Sequence, residues 1–236
     1  MSAIKLVVAD ILVSFIWIVW GGFVREFVGC SLLVSLRGNA EMVKLALTVA
    51  AMFALTWIGK LSNGATYNPI TLLLNSLGGK PQSLFTLAAR ILAQVLGSLV
   101  GVMCVMNTMP RGSQGGPVLK VGVKSGMITE GILTFIIVMV TLVVNRRGPK
   151  GFFLKTWILS LSKLCLSILG SNFTGPAMNP ATAFGWAYAR DQHRTKEHVY
   201  VYWLAPLEAC ILAVWIFQLL VQKKGTREKT KRTKKD

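Results

Sequence analysis

Long apolar runs, with two short ones set between them, give this chain its order. Six stretches, at about 4–24, 42–61, 84–106, 126–144, 153–170 and 199–221, are long and apolar enough to cross a bilayer as helices. Two shorter apolar segments follow Tyr67-Asn68-Pro69-Ile70 and Met178-Asn179-Pro180-Ala181, each preceded by a Gly-containing loop. Asn suits a helix N-cap and Pro the first helical position, so each motif reads as the start of a short helix. About ten residues span roughly 15 Å, half of a ~30 Å hydrocarbon core. The pattern predicts an all-α membrane protein with six transmembrane helices plus two re-entrant half-helices.

Polar residues inside the apolar runs fall in stripes. Span one carries Asp10, Ser14, Trp17 and Gly21; span two carries Lys44, Thr48 and Met52. Span three has Gln94 and a Gly97-x-x-x-Gly101 pair, which permits close helix contact. Span four has Glu130, Thr134 and Thr141, and span five Thr156, Ser160, Lys163, Ser167 and Gly170. Stripes this regular should face water or protein rather than lipid.

The order repeats in two halves, about 1–110 and 120–222: a span with a carboxylate, a span, an Asn-Pro half-helix, a span. Three spans is an odd number, so the second half is inverted, and the half-helix N-termini are expected to meet at mid-membrane. There two positive helix ends and the amides of Asn68 and Asn179 would point into a lumen. A neutral molecule with lone pairs can accept from both amides, whereas a cation loses its hydration shell against two positive ends. Held twice as an acceptor, the central molecule cannot easily relay a proton. Asp10 and Glu130 fit as structural braces, because a carboxylate inside a span needs partners and the re-entrant loops offer backbone donors.

Composition sharpens the class. A chain 53% hydrophobic and only 15% charged, with mean hydropathy +0.56, is not an ordinary soluble domain. Residues 1–222 read as a single membrane domain. The first span is too long for a removable signal peptide and carries Asp10. The net charge of +17 concentrates in a tail at 223–236, with eight Lys or Arg against two acids. Beside a span, such a tail predicts cytosolic termini and attraction to anionic lipid, not nucleic-acid binding. Arg146, Arg147 and Lys150 fall on the same side. Cys30, Cys104, Cys165 and Cys210 follow no ligand spacing and are expected to pack as small apolar residues. His193 and His198 are expected at a solvated surface. No metal, cofactor or catalytic motif is visible, and no enzyme activity is expected.

From Ile4 to Gln222 the chain strongly resembles the major intrinsic protein (aquaporin) family. Asn179-Pro180-Ala181 keeps the family triad, and Gln94 and Tyr202-Trp203-x-x-Pro206 match familiar positions. Thr129 to Phe135 and Met178 to Arg190, with the Lys-rich tail and altered first triad, look most like the second subgroup of plant small basic intrinsic proteins. The resemblance implies an inverted-repeat channel for water and small neutral solutes, a homotetramer with one pore per protomer, and residence in the endoplasmic reticulum membrane. The terminus Arg232-Thr233-Lys234-Lys235-Asp236 loosely resembles dibasic retrieval signals. The sequon at Asn172 lies too near the bilayer for expected glycosylation.

Two departures bear on selectivity. Ile70 stands where the first triad usually has Ala, placing a bulkier side chain where the half-helices meet. Thr182 stands where family members usually carry the Arg of the outer constriction, whose other positions become Pro176, Ser167 and Thr48. With no guanidinium, aromatic or His at these positions, the filter is expected to be wider and less cation-repelling. Lys163, one turn before Ser167, either faces the lumen and restores part of the positive barrier or turns to a neighbouring helix or protomer and pairs with a carboxylate. Rival readings are a non-conducting membrane scaffold and an ion-coupled secondary transporter.

Overall fold

The computed structural model describes residues 3–29, 39–110, 114–175 and 177–233, with side chains to Val221; Cys30, Arg111, Pro176 and the tail's side chains lie outside the described residues. The elements are α1 (Ala3–Gly29), α2 (Ala40–Leu61), α3 (Pro69–Leu77), α4 (Leu84–Thr108), α5 (Val123–Arg147), α6 (Phe152–Gly170), α7 (Pro180–Ala189), α8 (Lys196–Val199), a π-helical turn (Tyr200–Leu204) and α9 (Ala205–Thr233). Six are long and apolar enough to cross a membrane: α1, α2, α4, α5, α6 and the run Lys196–Val221. α3 and α7, with 9 and 10 residues, are the two half-helices.

The packing repeats with the sequence. α1 packs on α4 as α5 packs on α9, and α1 meets α2 as α5 meets α6. Each half-helix crosses into the other half, α3 against α9 and α7 against α4, while α2 meets α6. Apolar side chains spaced by four point outward: Val8, Leu12 and Ile16 on α1, Leu92, Leu96 and Val100 on α4, Ile128, Ile132 and Ile136 on α5. Polar residues turn inward, with Asp10, Ser14, Arg90, Gln94, Ser98, Glu130 and Thr134 all buried. That inversion of the soluble pattern is what lipid as solvent requires.

Glycine sets the closest crossing. A Cβ on Gly97 would fall inside contact distance of the Ile11 carbonyl oxygen, and one on Gly101 would lie 2.9 Å from Ile18 Cβ. α4 therefore rests directly on the α1 backbone through the Gly97/Gly101 pair. Gly97→Ala should force the helices apart and cost about 1–3 kcal/mol, the usual range for overpacking. A lower unfolding temperature of the purified protein in detergent checks this.

Two surface expectations are corrected here. His198 is only 4% exposed, its ring 5.9 Å from Tyr202 and 6.0 Å from Phe184. His193 is half-buried, 4.8 Å from Tyr188. The short turn between α7 and α8 folds both rings back onto α7, which their polar sequence neighbours conceal. Cys210 is buried as expected, but Cys165 is exposed on the outer face of α6.

Candidate functional site

Each Asn-Pro motif caps its half-helix and clamps the other. Asn68 Oδ1 accepts the Ile70 N–H at 2.9 Å, and Asn179 Oδ1 accepts the Thr182 N–H at 3.3 Å. Pro69 and Pro180 occupy first-turn positions, where a missing N–H costs nothing. Asn68 Nδ2 then donates to the Met178 carbonyl at 2.7 Å, and Asn179 Nδ2 to the Tyr67 carbonyl at 2.9 Å. The half-helix tips thus meet through two reciprocal amide–carbonyl bonds. An amide nitrogen carries two hydrogens, so one N–H of each Asn remains for another acceptor. Met178 holds its carbonyl in place at φ +42°, a left-handed conformation rare for a side chain of this kind.

The two carboxylates hold the loops that lead into these tips, by different chemistry. Asp10, 0% exposed, accepts the Thr66 N–H at 2.7 Å and is gripped by Arg90, Nε to Oδ2 at 2.6 Å and Nη2 to Oδ1 at 3.0 Å. Arg90 Nη2 also donates to the Gly64 carbonyl at 2.6 Å, and Gln94 Nε2 reaches Thr66 Oγ1 at 2.8 Å. Glu130, also 0% exposed, has no guanidinium partner among the described residues. It accepts from Thr174 Oγ1 at 2.9 Å and from the Ala177 and Met178 N–H groups, both at 3.1 Å. Tyr202, on the π-helical turn, donates its hydroxyl to the Thr174 carbonyl at 2.7 Å. Glu130 thereby sits on the strained Met178 whose carbonyl receives Asn68.

Cavities open on either side of this junction. On the face away from the chain ends, Thr48, Ser167, Thr182 and Lys163 line one cavity of about 250 Å³ together with Trp17, Trp20 and Trp186. Thr48 and Ser167 spend their hydroxyl protons on the Lys44 and Lys163 carbonyls, at 2.8 and 2.9 Å, leaving acceptor lone pairs. Thr182 Oγ1 is buried and has no partner among the described residues. Toward the other face, Tyr67, Asn68, Thr71 and Asn75 line a cavity of about 290 Å³, and a wider one of about 640 Å³ carries Lys60, Lys80, Arg146 and Lys155. Lys163 lies where the two sides adjoin, its Nζ 5.3 Å from the ring centres of both Trp17 and Tyr67. Those rings stack 4.8 Å apart.

Ile70 does not reach the junction. It is 3% exposed and packs among Leu74, Val138, Leu142, Cys210, Ala213 and Val214, between α3, α5 and α9. The small residues Cys210 and Ala213 leave room for its extra bulk. The cavity beside Thr48, Ser167 and Thr182 does carry aromatic and guanidinium groups from elsewhere in the chain. α1 supplies Trp17, Trp20 and Arg25 to the cavity wall, and counting offsets from the motifs overlooked that helix. Sequence reading also missed Arg90, whose signal was its place on the buried face of α4 with Gln94, Gly97 and Gly101.

The family model for the major intrinsic protein matches residues 1–217. The chain is 42% identical over 232 residues to the rice (Oryza sativa subsp. japonica) protein named aquaporin SIP2-1, covering 97% of this chain and 92% of that one. It is 42% identical over 223 residues to the probable aquaporin SIP2-1 of Arabidopsis thaliana, covering 93% of each. Identity to rice aquaporin SIP1-1 is 35% over 242 residues, covering 98% of each. Among solved structures, the aquaglyceroporin from Plasmodium falciparum superposes with a TM-score of 0.69 at 20% identity, covering 92% of this chain and 95% of that one.

Proposed function

The chain belongs to the major intrinsic protein family, whose members are membrane channels and not enzymes, and on that premise we propose that water crosses it by hydrogen-bonding in turn to the spare amide protons of Asn68 and Asn179. The reciprocal clamp between the two tips carries this reading, because it brings both amides to the junction where the half-helices meet. Asn68, Pro69 and Ile70 with Asn179, Pro180 and Ala181 form the pore motif. Thr48, Ser167 and Thr182 form the outer constriction, where the Thr48 and Ser167 hydroxyl oxygens can accept bonds from a small neutral solute. Asp10 and Glu130 brace the loops.

Cations are held back by charge. Lys163, Arg25 and Lys44, the last paired with Glu41 at 3.4 Å, line one side, Lys60, Lys80, Arg146 and Lys155 the other, and among the described residues no carboxylate lines these cavities. The lining therefore favours a passive pore over a cation-coupled transporter. The likeness to small basic intrinsic proteins supports a homotetramer in the endoplasmic reticulum membrane, termini cytosolic and the basic tail on anionic lipid. Coincidence of the tagged chain with a marker of that membrane checks the location.

Stopped-flow measurement of water, urea, glycerol and hydrogen peroxide entry into proteoliposomes tests the function. Water permeability above that of empty vesicles, with a low activation energy and no ion gradient, is expected; equality with empty vesicles would contradict it. Ile70→Ala should leave the solute order unchanged while costing about 2–5 kcal/mol of stability through the cavity it opens. New glycerol entry in that variant would put Ile70 back in the lumen wall.

A further inference from the structure

Lys163 lies roughly 16 Å along α6 from Phe152, near the middle of the hydrocarbon thickness. Among the described residues it makes no ion pair. An ammonium at this depth ordinarily has a carboxylate beside it. Here the Trp17 and Tyr67 rings, each 5.3 Å away, supply a partial negative face on one side. The other side opens into the cavity of about 250 Å³, whose wall holds no carboxylate.

Hydrogen-bond donors lie beside this space. Thr182 borders this cavity, and its buried hydroxyl has no partner among the described residues. Asn179, between the lining residues Ala177 and Thr182, keeps one N–H beyond the clamp at the positive N-terminus of α7. A fixed cation, an unused hydroxyl and a spare amide proton are what a small anion needs in exchange for its hydration shell. Water satisfies the donors but leaves the charge of Lys163 without a counter-ion.

We infer that a small monovalent anion, of the size of chloride, nitrate or iodide, binds against Lys163 in this cavity. The Thr182 hydroxyl and the spare Asn179 N–H are its donors, and while bound it interrupts the file of water. The binding stands without the proposed pore function; the interruption rests on it.

Iodide is a suitable probe because it quenches tryptophan fluorescence and three tryptophans line this cavity. Full-length protein in detergent is titrated with sodium iodide against sodium gluconate at constant ionic strength. Wild type and Lys163→Arg should show a saturable quenching component that Lys163→Met lacks and Thr182→Val weakens several-fold. In proteoliposomes, replacing gluconate by iodide should lower water permeability at least threefold in wild type and Lys163→Arg, and not in Lys163→Met. Purely linear quenching, identical in wild type and Lys163→Met, would overturn the anion site. Saturable, Lys163-dependent quenching with no effect of iodide on water flux above the vesicle background would overturn the interruption and keep the site. The same quenching in a protein whose flux in gluconate equals that of empty vesicles would overturn the pore reading and leave the anion site standing.

Discussion

Arg90→Met is expected to be the most damaging single substitution in the first half of the chain. Arg90 is 3% exposed and joins three elements: it grips Asp10 of α1 at both oxygens, donates to Gly64 in the re-entrant loop, and belongs to α4. Met fills similar space but strands the Asp10 carboxylate with the Thr66 N–H as its remaining hydrogen bond. Breaking a buried pair by removing one partner costs about 3–5 kcal/mol, because the other charge is left uncompensated. Loss of the pair also frees the loop that ends in Tyr67, whose carbonyl receives Asn179. Thermal unfolding in detergent checks the stability, and the double variant Asp10→Leu/Arg90→Met should recover part of it. An Arg90→Met protein as stable as wild type would show that the pair does not hold the loop.

The architecture was legible because membrane physics restricts the options. A helix must be long and apolar to cross, and the Asn-Pro pairs mark starts that Pro and Asn favour for separate reasons. The carboxylates could be paired with loop donors by cost alone, since neither could lie in a span unpartnered. What stayed hidden depends on which way a side chain turns. Arg90 lies near the start of a span, and nothing in its local sequence reports that the fold puts it opposite Asp10. Ile70 was judged by its place in the motif, yet helical rotation carries its side chain toward Cys210 and Ala213. Trp17 was visible on the polar stripe of α1, but its stacking on Tyr67 joins residues fifty positions apart. No local pattern reports such a contact. His198 was misplaced for the converse reason: polar neighbours in sequence say nothing about the aromatic rings brought over it by the fold.

Loss of the amide donors should bring the largest fall in transport. Asn179→Ala removes both the cap on Thr182 and the bond to the Tyr67 carbonyl. Losing a cap costs about 0.5–2 kcal/mol, so the helix is weakened but not abolished. At the junction a passing water loses a donor worth about 1–1.5 kcal/mol, which alone corresponds to roughly tenfold in rate. Asn179→Asp separates the two effects. Its carboxylate can still accept the Thr182 N–H, yet it cannot donate to Tyr67 or to water, and it sets a negative charge against a carbonyl oxygen.

Osmotic water permeability of proteoliposomes bearing wild type, Asn179→Ala or Asn179→Asp, at matched protein content, tests the central claim most directly. The two variants should both fall about tenfold below wild type, with Asn179→Asp unfolding at a lower temperature than Asn179→Ala because its buried carboxylate faces the Tyr67 carbonyl without a counter-charge. Water flux in Asn179→Asp equal to wild type would contradict the claim that two clamped amides at the half-helix tips carry the permeant.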